Sequence, residues 1–250
     1  MFEVSADAYD RLMGIYSAQL APQLADFAGV HSGQIVLDVG CGPGALTGEL
    51  VARLGPDAVA AVDPSEAFAA AVRERHPGVD VHRSTAEELP FPDASFDAAL
   101  AQLVVHFMAD PVAGLREMGR VTRRDGVVAA CVWDFAGARS PISPFWQAAR
   151  DVGNVDDESE LAGERAGHLT ELCQAAGLHD VEETELAANV THASFEDWWA
   201  PFTQGVGPAG AYAEKLDDEQ RAELRERCRQ LLPEAPFTLQ TFAWAARGFV

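Results

Sequence analysis

The sequence predicts an α/β protein built on a mainly parallel sheet. Three observations carry that expectation. Short apolar runs alternate with helical patterns through the first half of the chain. One of these runs, "VLDV" at 36–39, ends beside an acid and passes through glycines at 40, 42 and 44 into a helical pattern. The chain has 250 residues, 48% of them hydrophobic, which suits one well-buried domain over 1–250.

The elements follow in order. Before the first strand, Tyr9, Leu12, Met13, Tyr16, Leu20, Leu24 and Phe27 recur at helical steps. They predict one or two amphipathic helices within 1–30, broken or bent between Gly14 and Pro22. Strands are expected at 35–39, 58–63, 79–83, 96–103 and 126–133, with helices near 44–54, 65–75 and 110–123. Gly55 and Gly126 stand where helix stops are expected. "PDASFD" (92–97) reads as the turn into the fourth strand. After Asp134 the rhythm changes to a loop rich in small residues and proline, then a helix through Val152. The acidic run 154–160 reads as a solvated loop. A helix near 164–177, a strand near 181–192, helical segments containing "FEDWW" and "DDEQRAELRERCRQLL", and an edge or antiparallel strand at 237–249 complete the chain.

Composition excludes several classes. The formal charge of −21 repels nucleic acid and anionic membranes. No apolar run is long enough to span a bilayer, and "MFEVSADAYDRLMG" lacks the basic-then-apolar order of a signal peptide. Four widely spaced cysteines without a CxxC pair predict reduced thiols and a cytoplasmic protein. The histidines show no metal-ligand spacing, so no metal is expected. Lys215 is the only lysine, which argues against Schiff-base chemistry.

The glycine loop narrows the function. Strand, glycine loop and helix make a flat cradle for a nucleoside cofactor at a sheet's carboxyl edge. "GCGPGA" fits a loose dinucleotide fingerprint on paper. Charge separates the candidates. No lysine or arginine lies between Ser32 and Ala52, while Asp38 and Glu49 are acidic. A carboxylate facing a pyrophosphate at short range costs on the order of a few kcal/mol. The ammonium and sulfonium groups of S-adenosylmethionine have the opposite preference. Asp63 in "VDPSE", 25 positions after Asp38, stands where an acid accepts from ribose hydroxyls.

"VLDVGCGPG", "VDPSE" and "STAEELPFPDASFDAALAQLVVHF" at these distances resemble class I S-adenosylmethionine-dependent methyltransferases. The nearest look is the small-molecule group that includes ubiquinone- and menaquinone-biosynthesis-like enzymes. The likeness is strong over residues 34–134 and thinner beyond. It implies a Rossmann-like, doubly wound seven-stranded sheet with the last strand antiparallel, plus a helical cap. It also implies an N-terminal lid (1–30), a cofactor-binding core (34–134) and substrate cap segments at 135–165 and 193–233. S-adenosylmethionine would be the cofactor, S-adenosylhomocysteine the product, and a small molecule the methyl acceptor on oxygen, nitrogen or carbon. A non-catalytic S-adenosylmethionine-binding protein and an NAD-dependent oxidoreductase are the alternatives.

Carried over by motif, Asp38, Gly40, Cys41, Gly42 and Gly44 would line the methionine part of the cofactor. Asp63, Pro64 and Ser65 would hold the ribose and adenosine. Thr85, Ala86 and Glu87 would bracket the adenine, although family members often carry Gly-Asp-Ala where this chain has Ser84-Thr85-Ala86. Gln102 and Leu103 would form a wall after the fourth strand, and Tyr16 would close over the methyl donor. His106 is the candidate general base. Tyr9, Phe145, Trp146, Trp198, Trp199 and Phe202 are candidates for an apolar substrate chamber. The fourth strand ends "LAQLVVHF", without the Asn-Pro-Pro-Tyr-like tetrapeptide of similar enzymes acting on nucleobases or glutamine.

Overall fold

A computed structural model describes residues 6–153, 155 and 161–250. All but Val155 of the acidic run expected as a loop lies outside these residues. The strands are β1 (Val36–Val39), β2 (Val59–Asp63), β3 (Asp80–Arg83), β4 (Phe96–Gln102), β5 (Thr122–Trp133), β6 (His179–His192) and β7 (Phe237–Phe249). They form one seven-stranded sheet in the order β3-β2-β1-β4-β5-β7-β6. Strands β1 to β5 pair in parallel, while β7 runs antiparallel to both β5 and β6. The Rossmann-like expectation with an antiparallel last strand holds. One detail differs: β7 is no edge strand, because it inserts between β5 and β6 and leaves β6 at the margin.

The central strands are apolar on both faces because helices cover both. Every residue of β1, β2 and β4 is buried. Strand order reverses between β1 and β4, and their carboxyl ends carry Asp38 and Gln102. A crevice at such a switch point is where ligands of this architecture bind.

The helices are α1 (Ala6–Tyr9), α2 (Ile15–Phe27), α3 (Ala45–Leu54), α4 (Glu66–Arg75), α5 (Pro111–Val121), α6 (Ser143–Val152), α7 (His168–Ala175), α8 (Phe195–Trp199), α9 (Gly207–Lys215) and α10 (Asp218–Leu231). None is long and apolar enough to cross a membrane. The break or bend expected between Gly14 and Pro22 does not interrupt α2, which runs through Pro22; the irregularity lies just before it, in a π turn, Asp10–Gly14, that joins α1 to α2. Gly126 is not a helix stop. Helix α5 ends at Val121, the Thr122 hydroxyl donates back to the Met118 carbonyl (2.8 Å), and the chain enters β5 at once. Gly126 sits inside β5 because a Cβ there would lie 2.7 Å from the Asp97 carbonyl oxygen.

An unpaired edge strand invites association with other chains. Helix α2 covers β6 with two glutamine amides. Gln19 donates to the Asn189 carbonyl and accepts from its N–H, both at 2.9 Å. Gln23 does the same to Ala187, at 2.8 and 3.2 Å. Each side chain thus stands in for a neighbouring strand and fixes α2 to the sheet. Both glutamines are half-buried, but Asn189 is exposed and Ala187 half-buried, so water replaces the Gln19 bonds more readily. We expect Gln23→Ala to lower unfolding free energy by about 1–2 kcal/mol and Gln19→Ala by less. Urea denaturation checks this; equal or reversed effects would contradict the docking role.

Candidate active site

The site begins where β1 runs out. Gly40 and Gly42 adopt positive φ (+70° and +51°) and turn the chain across the sheet edge. A Cβ on Gly40 would lie 2.5 Å from the Val104 side chain, so glycine is required there for packing too. A Cβ on Gly42 would meet nothing within 4 Å, leaving the backbone open to a ligand. The Gly40 and Cys41 N–H groups donate to the Val62 carbonyl (2.8 and 2.9 Å), which ties the loop to β2. Gly44 caps α3 at φ +103°.

Two acids flank this loop. Asp38 is fully buried; its Oδ2 accepts from the Thr47 hydroxyl at 2.6 Å, while its Oδ1 is buried without a partner. Burial pushes its carboxyl up to about 7, and neighbouring Asp63 adds to the rise. Asp63 accepts from the Gly42 N–H (2.9 Å) and the Ser65 N–H (2.8 Å). Burial raises its pKa as well, against these two bonds. The loop thus carries two carboxylates, and no cation among the described residues lies in its lining. Cys41 is buried with its thiol pushed up by burial, so it is inert as a nucleophile.

A cavity of about 350 Å³ opens beneath the loop. Asp38, Gly40, Cys41, Gly42 and Gln102 line it from the sheet, and Tyr9, Asp10, Gly14 and Ser17 close it from the N-terminal helices. Gln102 donates to the Ser17 carbonyl (3.0 Å), and its Oε1 is buried without a partner. Arg75 on α4 latches the lid, pairing with Asp10 (2.8 Å) and donating to the Pro43 carbonyl (2.9 Å).

A second cavity, about 450 Å³, adjoins the first at Tyr9, which lines both. Leu103 and His106 after β4, Trp133 ending β5 and Phe135 beyond it, Leu12 and Met13 from the π turn, and Val206 to Ala209 entering α9 enclose it. Leu103 is held at φ +62°, an unusual conformation for a non-glycine residue, with its N–H donating to Cys131 (2.8 Å). His106 is buried, its Nδ1 has no hydrogen-bond partner, and burial lowers its pKa to about 3. Asp134, also buried, accepts from the Gly137 N–H (3.0 Å), Trp244 Nε1 (3.0 Å) and Arg139, and so fixes the loop that presents Phe135.

Other candidates fall elsewhere. Tyr16 is a correction: its hydroxyl bonds His192 Nε2 (2.8 Å) and it lines a separate, smaller cavity rather than the one beneath the glycine loop. Phe145, Trp146 and Trp199 do not line the 450 Å³ cavity. Phe145 stacks on Phe202 (4.7 Å) and Trp199 (6.2 Å) and meets Trp146 edge-on (5.2 Å), forming the interior of the cap. Trp198 and Phe202 belong to that cluster and touch only the smaller cavity. Glu87 accepts from the Ala109 N–H (2.8 Å), so it braces the turn before α5. Ala86 is buried beside it and Thr85 is exposed. Pro64 accepts from Arg83 (3.1 Å), and Ser65 precedes α4. Sequence reasoning missed Asp10, Ser17, Met13, Phe135 and Val206 to Ala209, which no motif marks.

A buried carboxylate with one unpartnered oxygen, in the wall of a cavity lined by no cation, asks for a ligand with a positive end. The open Gly42 backbone leaves the adjoining cradle accessible. The fold and cavity together define a doubly wound α/β protein that binds a nucleoside-type cofactor. Comparison with known proteins specifies the family. Residues 37–130 match the methyltransferase domain family. The demethylmenaquinone methyltransferase of Tropheryma whipplei is 34% identical over 153 residues, covering 59% of this chain and 62% of that protein. The malonyl-[acyl-carrier protein] O-methyltransferase of Serratia marcescens is 31% identical, covering 57% of each. The YcgJ protein of Bacillus subtilis shares the fold at TM-score 0.59 with 17% identity, over 92% of this chain and 97% of that one. Over this stretch the chain is similar to S-adenosylmethionine-dependent methyltransferases. Its match spans less than two thirds of the length of these two curated relatives.

Asp38 gives the site a pH signature. Its folded pKa lies above the ordinary carboxylate value, so the ligand-free protein holds the extra proton between about 4 and 7. Its contribution to stability is therefore most favourable in acid and is lost as pH rises towards 7. An incoming ammonium needs the ionised form, so affinity changes in the opposite sense. We expect the S-adenosylhomocysteine Kd to rise up to tenfold per unit as pH falls below about 7, and Asp38→Asn to flatten the profile. Calorimetric titration from pH 5.5 to 8 checks this; a flat wild-type profile would exclude Asp38 as the ammonium partner.

Proposed function

We propose that this protein transfers the methyl group of S-adenosylmethionine to a small-molecule acceptor. The observation that supports it most is the pair of adjoining cavities. One ends on an unpartnered carboxylate oxygen under an open glycine loop; the other is apolar, and Tyr9 borders both. Asp38 Oδ1 fits the cofactor's ammonium, and the remaining lone pairs of Asp63 fit its ribose hydroxyls. Gln102 Oε1 is a second acceptor available at the same end. When bound, the cofactor supplies an electrophilic methyl group on a positively charged sulfur.

The chain's own residues then position the acceptor and exclude water. The N-terminal helices close the first cavity, held by Arg75 and by the Gln102–Ser17 bond. Phe135 and the segment Val206 to Ala209 close the second. Positioning and desolvation are the main accelerating effects open to this site, because the methyl donor is already activated. Two relatives, named for demethylmenaquinone and for a malonyl carrier-protein acceptor, support a methyl acceptor outside the nucleic acids. Four buried, unpaired thiols fit a reducing, cytoplasmic setting.

Titrating the protein separately with S-adenosylhomocysteine and NADH tests this reading. Binding of the first alone is expected, and Asp63→Ala should weaken it at least tenfold. Preference for NADH would sink the proposal, and an unchanged affinity in the variant would remove Asp63 from the ribose.

A further inference from the structure

The larger cavity carries information about its occupant. Among its lining residues there is no aspartate, glutamate, lysine or arginine. Leu12, Met13, Leu103, Phe135 and Val206 present hydrocarbon surface. Within this apolar wall His106 is more than nine-tenths buried, and its Nδ1 has no hydrogen-bond partner. Phe107 and Phe135 flank the imidazole, with ring centroids 3.9 and 5.6 Å away, and limit its reorientation. Gln102 lines the cofactor cavity and Leu103, the next residue, lines this one. His106 therefore stands just beyond the boundary where acceptor and methyl donor would meet.

We propose that this chamber takes an uncharged, apolar acceptor bearing a phenol- or enol-type hydroxyl, that the hydroxyl donates to His106 Nδ1, and that methylation falls on its oxygen. The inference rests on the methyl-transfer reading above and assigns its acceptor class. A carboxylate or alkylammonium entering the chamber would lose its hydration with no opposite charge to receive it, a cost of several kcal/mol. A hydroxyl donor satisfies itself and the imidazole together. The acceptor role at Nδ1 places the imidazole proton on Nε2.

Oxygen rather than nitrogen follows from the proton's fate. As the oxygen–carbon bond forms and the carbon–sulfur bond breaks, sulfur keeps the bonding pair and the hydroxyl proton must leave the acceptor oxygen. An alkylated oxonium is a far stronger acid than imidazolium, so even a weakly basic His106 takes that proton, then releases it to water as product departs. Methylation of an alkylamine instead leaves an ammonium, a weaker acid than imidazolium. Its proton would stay, and a cation would be stranded among hydrocarbon. Burial disfavours charge on His106 and makes it a hydrogen-bond anchor first and a late proton acceptor second.

The test uses full-length protein loaded with S-adenosylhomocysteine and four probes on one ring system: 2-naphthol, 2-naphthoate, 2-(aminomethyl)naphthalene and naphthalene. Fluorescence titration should give 2-naphthol a Kd at least tenfold below those of the carboxylate and the amine. Mass spectrometry with S-adenosylmethionine should find the O-methyl product. His106→Phe should weaken 2-naphthol about tenfold and leave naphthalene unchanged. Equal or tighter binding of the carboxylate or amine would overturn the inference. So would no binding of 2-naphthol to protein that binds S-adenosylhomocysteine, or an unchanged 2-naphthol affinity in the variant. Binding without an O-methyl product would overturn the assignment to oxygen. Failure to bind S-adenosylhomocysteine would instead bring down the methyl-transfer reading itself.

Discussion

One buried carboxylate organises this site. Asp38 lies at the carboxyl end of a strand enclosed on both sides, and one of its oxygens has no protein partner. Removing an ionised group from water without compensation is among the costlier things a fold can do. The protein lowers that cost in two ways: the Thr47 hydroxyl satisfies the other oxygen, and the raised pKa lets Asp38 hold a proton when no cation is near. Both expedients are incomplete, and on the proposed reading a ligand ammonium would complete them. The same feature disfavours phosphate, because a second acid, Asp63, raises the Asp38 pKa further and no lysine or arginine lines the cavity.

The rest of the cofactor half serves to keep that carboxylate in place and accessible. Gly40 allows the loop to pass Val104, and the Val62 carbonyl receives two of its N–H groups. Asp63 holds Gly42 through its backbone N–H, so the second acid sets the loop that the first acid serves. Across the cavity, Arg75 and the two edge-covering glutamines hold the N-terminal helices over it. Lid, loop and sheet edge are tied together by polar contacts that mostly reach backbone carbonyls or N–H groups. Backbone positions in such an arrangement are fixed closely, whichever side chains surround them.

This explains which parts were legible in the sequence. The place of Asp38, Gly40, Gly42 and Asp63 around one loop could be read because charge at a strand end and positive φ in a tight loop leave few residue choices. The order of β6 and β7 could not, since an antiparallel strand reads the same at an edge as inside a sheet. Tyr9 and Tyr16 stand seven positions apart and share one face of an ideal α-helix. The π turn between them inserts extra chain and rotates the phase. Tyr9 therefore reaches both cavities while Tyr16 turns to His192. The cap aromatics misled for a different reason: hydrophobic residues that fill a cap and those that line a chamber look alike in composition. Their mutual stacking, seen only in three dimensions, separates them.

The boundary of the family match carries a consequence for specificity. It covers residues 37–130, which hold the glycine loop, both acids, Gln102, Leu103 and His106. The other walls of the larger cavity, the proposed acceptor chamber, come from Tyr9 to Met13, from Trp133 to Ile142 and from Val206 to Ala209, all outside that stretch. On the proposed reading, cofactor binding lies within the family-matched stretch, whereas acceptor shape lies mainly in segments outside it. The shared part contributes one polar group to the chamber, His106, on a turn anchored by the strained Leu103. If the acceptor sits there as proposed, placing the reacting atom is the task of the common core. Choosing the molecule that carries it is the task of the segments that close around it.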